Sequence, residues 1–592
     1  MILKSHFLSS GRCRVTFGLI LGLKQHKLLF LLNLICAGSF ALTELGIPTL
    51  FGRMTDNYLD QGPESFYYQC FLLILIAAII TTIGMSLLAY TSSKLSTLIV
   101  YEIRKDLFAH VMTFSVEEID HFTVSSLITR TGSDAYQILM FCHQIFRSAL
   151  LAPIMLVVCS ILVITTSPTL SWFVLGTIPI ILIGAYGFFK AAGPLSSRQQ
   201  KSIDRINQIL RENLNGIRVI RSFNRQKTEE ERFARESKEY QTITSKLFKL
   251  MAMSDPLFFF LMNLTSITIY YVASHMIAAG SLQIGELLMF VEYLFHCMMS
   301  VLVVCMICMM YPRASVSAKR IEEVLDTEPS VKSCDQKVLD HVDTLEFKNV
   351  SFAYPNSKNH SLTDISFKAN AGQKIALIGS TGSGKSTVTK LISRFYDPSA
   401  GSIEINGQDI RDYTLESLRR KTAMVSQKAH LFSGTIKDNI TFGNRQALDE
   451  EIDHAIQIAQ AQAFIAEREN GLEDLVSEEG SNLSGGQKQR LSIARAIVAN
   501  AGLYILDDSF SALDLATDAK LRKALEPIQK DALFLIVAQR IPSILDCDQI
   551  LVLDQGHLVA TGTHKELYRD CKLYRQIVLS QMSEEEASRY AE

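Results

Sequence analysis

Hydrophobic positions fall into two regimes along the chain. Over residues 28–50, 66–90, 148–166, 169–189, 257–274 and 287–311 apolar residues run on almost unbroken. A helix that crosses a bilayer needs about 20 such residues, so the pattern predicts six transmembrane helices. The second run, FYYQCFLLILIAAIITTIGMSLLAY, has no charge in 25 residues. A helix of a water-soluble core shows one apolar stripe, not an apolar circumference, and six such runs exclude a soluble protein. The first run is too long for a cleaved signal peptide and lacks its small-residue cleavage site.

Between the runs the pattern changes to helical spacing of charges and apolar residues. The loops 91–147 and 190–256 are long and rich in Lys and Arg, and no proline falls between Pro194 and Pro256. This predicts membrane helices that continue into the cytoplasm and turn back near 115–122 (SVEEIDHF) and 213–223 (NLNGIRVIRSF). Such turns either dock on another domain or cap a free-standing hairpin. Asp255 next to Pro256 is expected to mark a helix entry. Arg12, Arg14, Lys24 and Lys27 precede the first run, whereas GRMTDNYLDQGPES after it has one Arg and three acids. The bias places both termini and the two long loops in the cytoplasm.

Beyond residue 311 polarity rises. Residues 1–27 read as a cytoplasmic N-terminal segment, 28–311 as the transmembrane domain, 312–344 as a linker, 345–585 as a nucleotide-binding domain and 586–592 as a tail. The expected fold is multi-domain: an all-α six-helix membrane domain with long cytoplasmic extensions, then an α/β P-loop domain. Within KIALIGSTGSGKSTVTKLI the pattern is strand, glycine-rich loop, helix, and Gly379, Ser380, Thr381, Gly382, Ser383, Gly384, Lys385, Ser386 and Thr387 cover G-x-x-x-x-G-K-[ST] with the residue that follows. Backbone N–H groups of such a loop cradle phosphates, the Lys reaches the β and γ phosphates, and the Ser holds Mg²⁺. The strand LYILDD supplies Asp507 as the carboxylate partner of that Mg²⁺. Composition changes little in this picture. With 58 basic and 60 acidic residues, nothing points to a nucleic-acid partner. The eleven cysteines, at 13, 36, 70, 142, 159, 297, 305, 308, 334, 547 and 571, lie mostly in apolar stretches and read as buried small hydrophobes, not as disulfides or metal ligands.

LSGGQKQRLSIARA at 483–496, shortly before YILDD, resembles the signature of ATP-binding-cassette (ABC) proteins. Tyr354 in SFAYP resembles the aromatic that stacks on adenine, Gln427 in MVSQ the glutamine that senses the γ phosphate and contacts the membrane domain, and Asp514 in SALD the loop that crosses between two cassettes. With six apolar runs ahead of it, the chain resembles an ABC exporter half-transporter. The resemblance implies ATP and Mg²⁺ as cofactors, with Ser386, Gln427 and Asp507 around the metal. It also implies two cassettes closing head to tail, so that Ser484, Gly485, Gly486, Gln487 and Asp514 face the ATP held by a partner chain.

Two positions depart from the family. Asp508 stands where the catalytic Glu is expected, shorter by one methylene or about 1.5 Å. Gln539, in IVAQR, stands where the switch His is expected; it can donate a hydrogen bond but cannot titrate near neutral pH. The ATP-binding set is otherwise complete. The expected reading is a degenerate site of weak or absent hydrolysis, with an intact signature that completes the site of a second half-transporter carrying Glu and His. Both substitutions resemble the degenerate half of bacterial heterodimeric multidrug exporters. That implies a multi-pass protein of the bacterial cytoplasmic membrane exporting small amphipathic molecules. Homodimeric lipid or peptide export, and an ATP-gated channel or regulatory sensor, remain as alternatives. With only about 27 residues before the first run, no N-terminal peptidase domain is expected, and Cys13 is not read as a nucleophile. Glu44, Glu292 and His296 lie inside apolar runs, where ionisable groups are costly and often functional. They are candidates for substrate contact, the alternative being interhelical polar contacts. The methionines of the sixth run, Met289, Met298, Met299, Met306, Met309 and Met310, suit either an adaptable binding surface or lipid-facing filler.

Overall fold

A computed structural model describes residues 26–334, 337–355, 357 and 359–591. Almost all of the N-terminal segment 1–27, with Arg12, Cys13, Arg14 and Lys24, lies outside the described residues, as does Glu592 of the tail. The chain divides into two compact units: Met1–Met112 with Val124–Thr327, and Thr113–Thr123 with Glu328–Glu592.

Among its described residues the first unit contains six helices long and apolar enough to cross a membrane: Lys27–Leu59, Glu64–Val111, Val124–Thr166, Pro168–Asn215, Gln226–Ala278 and Ile284–Asp326. The third is interrupted by π turns at Arg130–Asp134 and Ile145–Ala149. Apolar side chains face outwards: Leu72, Leu73, Leu75, Ile76, Ile79, Ile80 and Ile83 are all exposed. A soluble protein would bury most of such a stripe, whereas in lipid tails it has a matching solvent. The polar groups turn inwards. Asn33 Nδ2 donates to Thr91 Oγ1 and Ser92 Oγ at 2.9 Å each, fully buried between the first two helices. Thr177 and Thr265 hydroxyls meet at 3.0 Å, and Thr49 and Tyr293 at 2.5 Å. Each such bond contributes about 0.6–2 kcal/mol. At the ends of the first and sixth helices Gly52 and Gly285 let the backbones touch: a Cβ on Gly285 would fall 2.0 Å from the Gly52 carbonyl oxygen. There Asp56 Oδ1 accepts the N–H of Gly285 at 2.6 Å, filling one of the unpaired donors of the sixth helix's first turn.

The helices outrun the apolar segments. The helix Ile284–Asp326 carries through the first fifteen residues of the expected linker 312–344, because charged residues such as Lys319, Arg320 and Glu322 are good helix formers. Pro256 does not open a helix; it lies inside Gln226–Ala278, as Pro179 and Pro194 lie inside Pro168–Asn215. Proline is tolerated there because neighbouring helices and local backbone adjustment satisfy the carbonyl it frees. The turn at 213–223 contains the short helix Ile217–Ser222, which has no buried residue. Leu214 and Phe223 beside it are 71% and 73% exposed.

The second unit holds a mixed sheet. Its strands run in the order His557–Gly562, Gln549–Asp554, Lys374–Gly379, Leu533–Val537, Leu503–Asp507, Thr422–Val425, the first pair antiparallel and the rest parallel. Leu533–Val537 and Leu503–Asp507 are buried at every residue, as strands covered on both faces must be. A second, antiparallel sheet orders Leu362–Asn370, Thr344–Phe352, Ala400–Ile405 and Gln408–Asp409. The first cytoplasmic turn belongs to this unit. Its helix Val116–Phe122 is locked by Glu118, 5% exposed, which accepts the N–H groups of Ser115 at 2.8 Å and Ser330 at 3.0 Å and the hydroxyl of Ser115.

Candidate nucleotide-binding site

The site forms where the central parallel strands end. Lys374–Gly379 runs into the glycine-rich loop, and the loop into the helix Lys385–Ile392. Gly384 has φ 102°, which an L side chain rarely adopts. A Cβ there would also meet Leu362 Cδ2 at 2.5 Å and the Ser361 carbonyl at 3.0 Å. Lys385 Nζ folds back over the loop, donating to the carbonyls of Gly379 and Ser380 at 2.8 Å each. Burial pushes this ammonium below its usual range against the pull of Asp507 and Asp508.

Two strands away, Asp507 closes Leu503–Asp507. Its Oδ1 lies 3.5 Å from Ser386 Oγ, and its Oδ2 lies 3.4 Å from Thr389 Oγ1. Burial raises its carboxyl, partly offset by these two hydroxyls and by Lys385. A buried acid so placed beside a serine hydroxyl offers the hard oxygen donors that Mg²⁺ prefers, so Ser386 and Asp507 fit the metal expected of such a site.

Asp508 adopts φ 49°, a left-handed conformation that Asp tolerates better than most residues. Its Oδ2 accepts two amides, Gln539 Nε2 at 2.9 Å and Gln427 Nε2 at 3.2 Å. The two positions that depart from the family pattern are therefore bonded to each other, and Gln427 joins them. Gln427 points its amide nitrogen at the acid. Burial lifts the Asp508 carboxyl above the usual range, against the amide of Gln427, Ser511, Arg540 and Lys385.

Tyr354 donates to or accepts from Thr387 Oγ1 at 3.2 Å. Its ring meets Phe352 and Tyr396 edge-on at 5.0 and 5.4 Å. Lys390 Nζ lies over it at 5.4 Å. Lys385, Ser386, Gln427, Asp507, Asp508 and Gln539 form one cluster, to which Thr387 connects Tyr354. Ser484, Gly485, Gly486, Gln487 and Asp514 form another. Ser484 and Gln487 make a capping box that starts the helix Gly485–Val498. Gly486 packs close to the carbonyl of Ala512, and Asp514 caps Leu515–Gln529 by accepting the N–H of Thr517 at 2.9 Å. No hydrogen bond among the described residues joins this second cluster to the phosphate loop.

Sequence reasoning missed Thr389 and Tyr396. Thr389 lies three residues after Ser386 on one helix, so its shared face was readable from spacing. Tyr396 was not: its hydroxyl engages Asp120 of the helix Val116–Phe122, and burial with that acid pushes the phenol up to about 12. Of the intramembrane candidates, Glu44 and His296 are half-buried and Glu292 is exposed. Among the described residues none of the three side chains makes a hydrogen bond or ion pair. The ten described cysteines are free, and seven are buried.

Residues 30–301 match the family described as ABC transporter transmembrane region, and residues 362–511 the family described as ABC transporter. A Bacillus subtilis protein described as an uncharacterized ABC transporter ATP-binding protein is 35% identical over 565 residues, spanning 95% of this chain and 98% of its own. A Mycobacterium tuberculosis protein of the same description is 34% identical over 551 residues, covering 91% and 94%. The ATP-dependent lipid A-core flippase of Vibrio vulnificus is 30% identical over 547 residues, covering 92% and 94%. Among solved structures, a bacterial Atm1-family ABC exporter with ATP bound shares the fold with TM-score 0.81 at 23% identity, over 95% of this chain and 99% of that one.

Proposed function

Because the chain belongs to the ABC transporters, with their transmembrane region and ATPase cassette on one polypeptide, we propose that it is one half of a heterodimeric exporter. Its own nucleotide site holds ATP and hydrolyses it weakly. Its signature residues, Ser484 to Gln487, complete the hydrolytic site of an unlike half-transporter that carries Glu and His where this chain has Asp508 and Gln539. The cargo is a small amphipathic molecule, and the setting a bacterial cytoplasmic membrane.

The observation that carries this reading is the pairing of Gln539 and Gln427 on one oxygen of Asp508. A general base must lie within hydrogen-bond reach of the water it activates. Asp508 is short by a methylene, and its Oδ2 is held by two amides that cannot take up a proton. Tyr354, the loop Gly379–Thr387 and Asp507 keep the groups that hold a nucleotide. Ser386, Asp507 and the oxygen of Gln427 are the proposed Mg²⁺ ligands; the ion would neutralise phosphate charge. The exposed Leu214 and Phe223 give the second cytoplasmic turn an apolar tip that fits the requirement for a second chain.

Isolation of the chain from its native membrane, followed by mass spectrometry, tests the proposal. An unlike ABC chain with Glu and His at the two positions is the expected companion. A stoichiometric complex of this chain with itself alone overturns the heterodimer. The second reading, a homodimeric lipid exporter, draws support from the lipid A-core flippase among the relatives.

A further inference from the structure

A cavity of about 330 Å³ opens between the fifth and sixth long helices, lined by Met262, Asn263, Ser266 and Tyr270 on one and by Glu292 and Phe295 on the other. The two helices are joined by a short turn between Ala278 and Ile284. Tyr270 lies eight residues before the first of these ends and Glu292 eight residues after the second. At 1.5 Å per residue both are about 12 Å from the turn, at one depth within the apolar runs.

Glu292 is exposed to this cavity and unpaired. None of the six apolar runs contains a Lys or Arg, and among the described residues His296, one turn further along the helix, makes no ion pair with it. A carboxylate facing hydrocarbon is expensive, and intramembrane acids therefore face a partner, water or a ligand. The neighbours of Glu292 are suited to a ligand. Tyr270 and Phe295, 45% and 39% exposed, supply aromatic rings, whose faces attract a cation. Met262 adds a polarisable, adaptable wall. Glu44 and His296 do not line the cavity, so the structure sets Glu292 apart from them.

We propose that this cavity binds a lipophilic organic cation, its charge set against Glu292 and its apolar surface against Tyr270, Phe295 and Met262. The proposal rests on the exporter reading for the fate of the ligand, but the site stands on its own geometry. The decisive pair of probes is tetraphenylphosphonium and tetraphenylborate, which share shape and differ in the sign of charge. Binding of each to the purified full complex in detergent is measured for the wild type and for Glu292→Gln, Glu292→Asp, Glu44→Gln and His296→Ala.

The expected result is a wild type that prefers the cation. Glu292→Gln weakens it by at least about tenfold, equivalent to about 1.4 kcal/mol, and Glu292→Asp retains it within about threefold. The changes at Glu44 and His296 leave cation affinity within twofold, and tetraphenylborate gains nothing from the Glu carboxylate. Equal cation binding by wild type and Glu292→Gln overturns the site, as does equal binding of the two ions by the wild type or binding of neither. The retained affinity of Glu292→Asp separates loss of charge from loss of fold. ATP-driven uptake into inverted vesicles tells this proposal from the exporter reading. Glu292-dependent cation binding without uptake of any probe removes the exporter and keeps the site. Uptake of an uncharged probe without cation binding removes the site and keeps the exporter.

Discussion

Replacing Asp508 by Glu should turn this site into a faster ATPase, by an amount the geometry bounds. The added methylene carries the carboxylate about 1.5 Å further into the site. Misplacement of a reacting group by about 1 Å costs on the order of 10²-fold, so restored reach is worth about 2.7 kcal/mol of barrier. Basicity is not the deficit, because burial already lifts the Asp508 carboxyl. Against the gain stand the bonds that Gln539 and Gln427 now make to Oδ2 at 2.9 and 3.2 Å, each contributing about 0.5–1.5 kcal/mol. If one must be given up, about 1.2–2.2 kcal/mol remains and the net increase is roughly 8- to 40-fold, and Gln539→His in addition should raise it further. The assay is single-turnover hydrolysis of γ-labelled ATP by the full complex, with the catalytic base of the proposed partner changed to Gln so that only this site is read. Two results refute the reasoning. One is an Asp508→Glu rate within twofold of wild type. The other is a wild-type rate of order 1 s⁻¹, within the usual range of enzyme turnover, that falls about 10³-fold in Asp508→Asn; Asp508 would then be a working base.

Three further outcomes are expected of the same structure. Gly384→Ala forces a Cβ to within 2.5 Å of Leu362 at φ 102°; it should destabilise the cassette by about 1–3 kcal/mol and abolish the thermal stabilisation that ATP gives the wild type. Glu118→Ala strips a buried acceptor from the N–H groups of Ser115 and Ser330 and should cost about 2 kcal/mol. Burial alone would raise the Glu118 carboxyl, but the hydrogen bonds from Ser115 and Ser330 outweigh it and the net direction is down. Its titration-linked stabilisation is thus fully present above the unfolded value of about 4.3 and is lost as pH falls below that through the folded value. Melting curves of wild type and Glu118→Ala should therefore draw together only below about pH 4.3. Burial pushes the His564 imidazole down, and its Nε2 has no partner among the described residues. The wild type should lose stability as pH falls below about 6.5, where the unfolded imidazole takes up its proton first; His564→Gln should flatten that slope in a melting-temperature series from pH 8 to 5.

The phosphate loop and the strand ending at Asp507 were legible because each is a local device. A loop that must wrap phosphates needs glycines at set intervals, and a fully buried strand needs a continuous apolar run. The spans were legible for the same reason, but their ends were not. Lys319, Arg320 and Glu322 leave the apolar pattern without leaving the helix, and Pro256 interrupts the pattern of donors without ending it. Thr389 was within reach of spacing arguments. Tyr396 was not, since its partner Asp120 lies 276 residues away in sequence.

What the sequence determined by itself was the chemistry of each segment: six stretches that only lipid can solvate, one loop built for phosphates, an acid one methylene short and a glutamine that cannot titrate. Those properties follow from side-chain type and from hydrogen bonds closed within a few residues. Only the tertiary structure decided that Gln539 and Gln427 share one oxygen of Asp508, and that the first cytoplasmic turn folds with the nucleotide unit. It alone put Glu292, and not Glu44 or His296, in the lining of the cavity between the fifth and sixth helices. Each of these depends on which faces of distant elements pack together. Such packing is the sum of many weak contacts across the whole unit, and no local pattern records it.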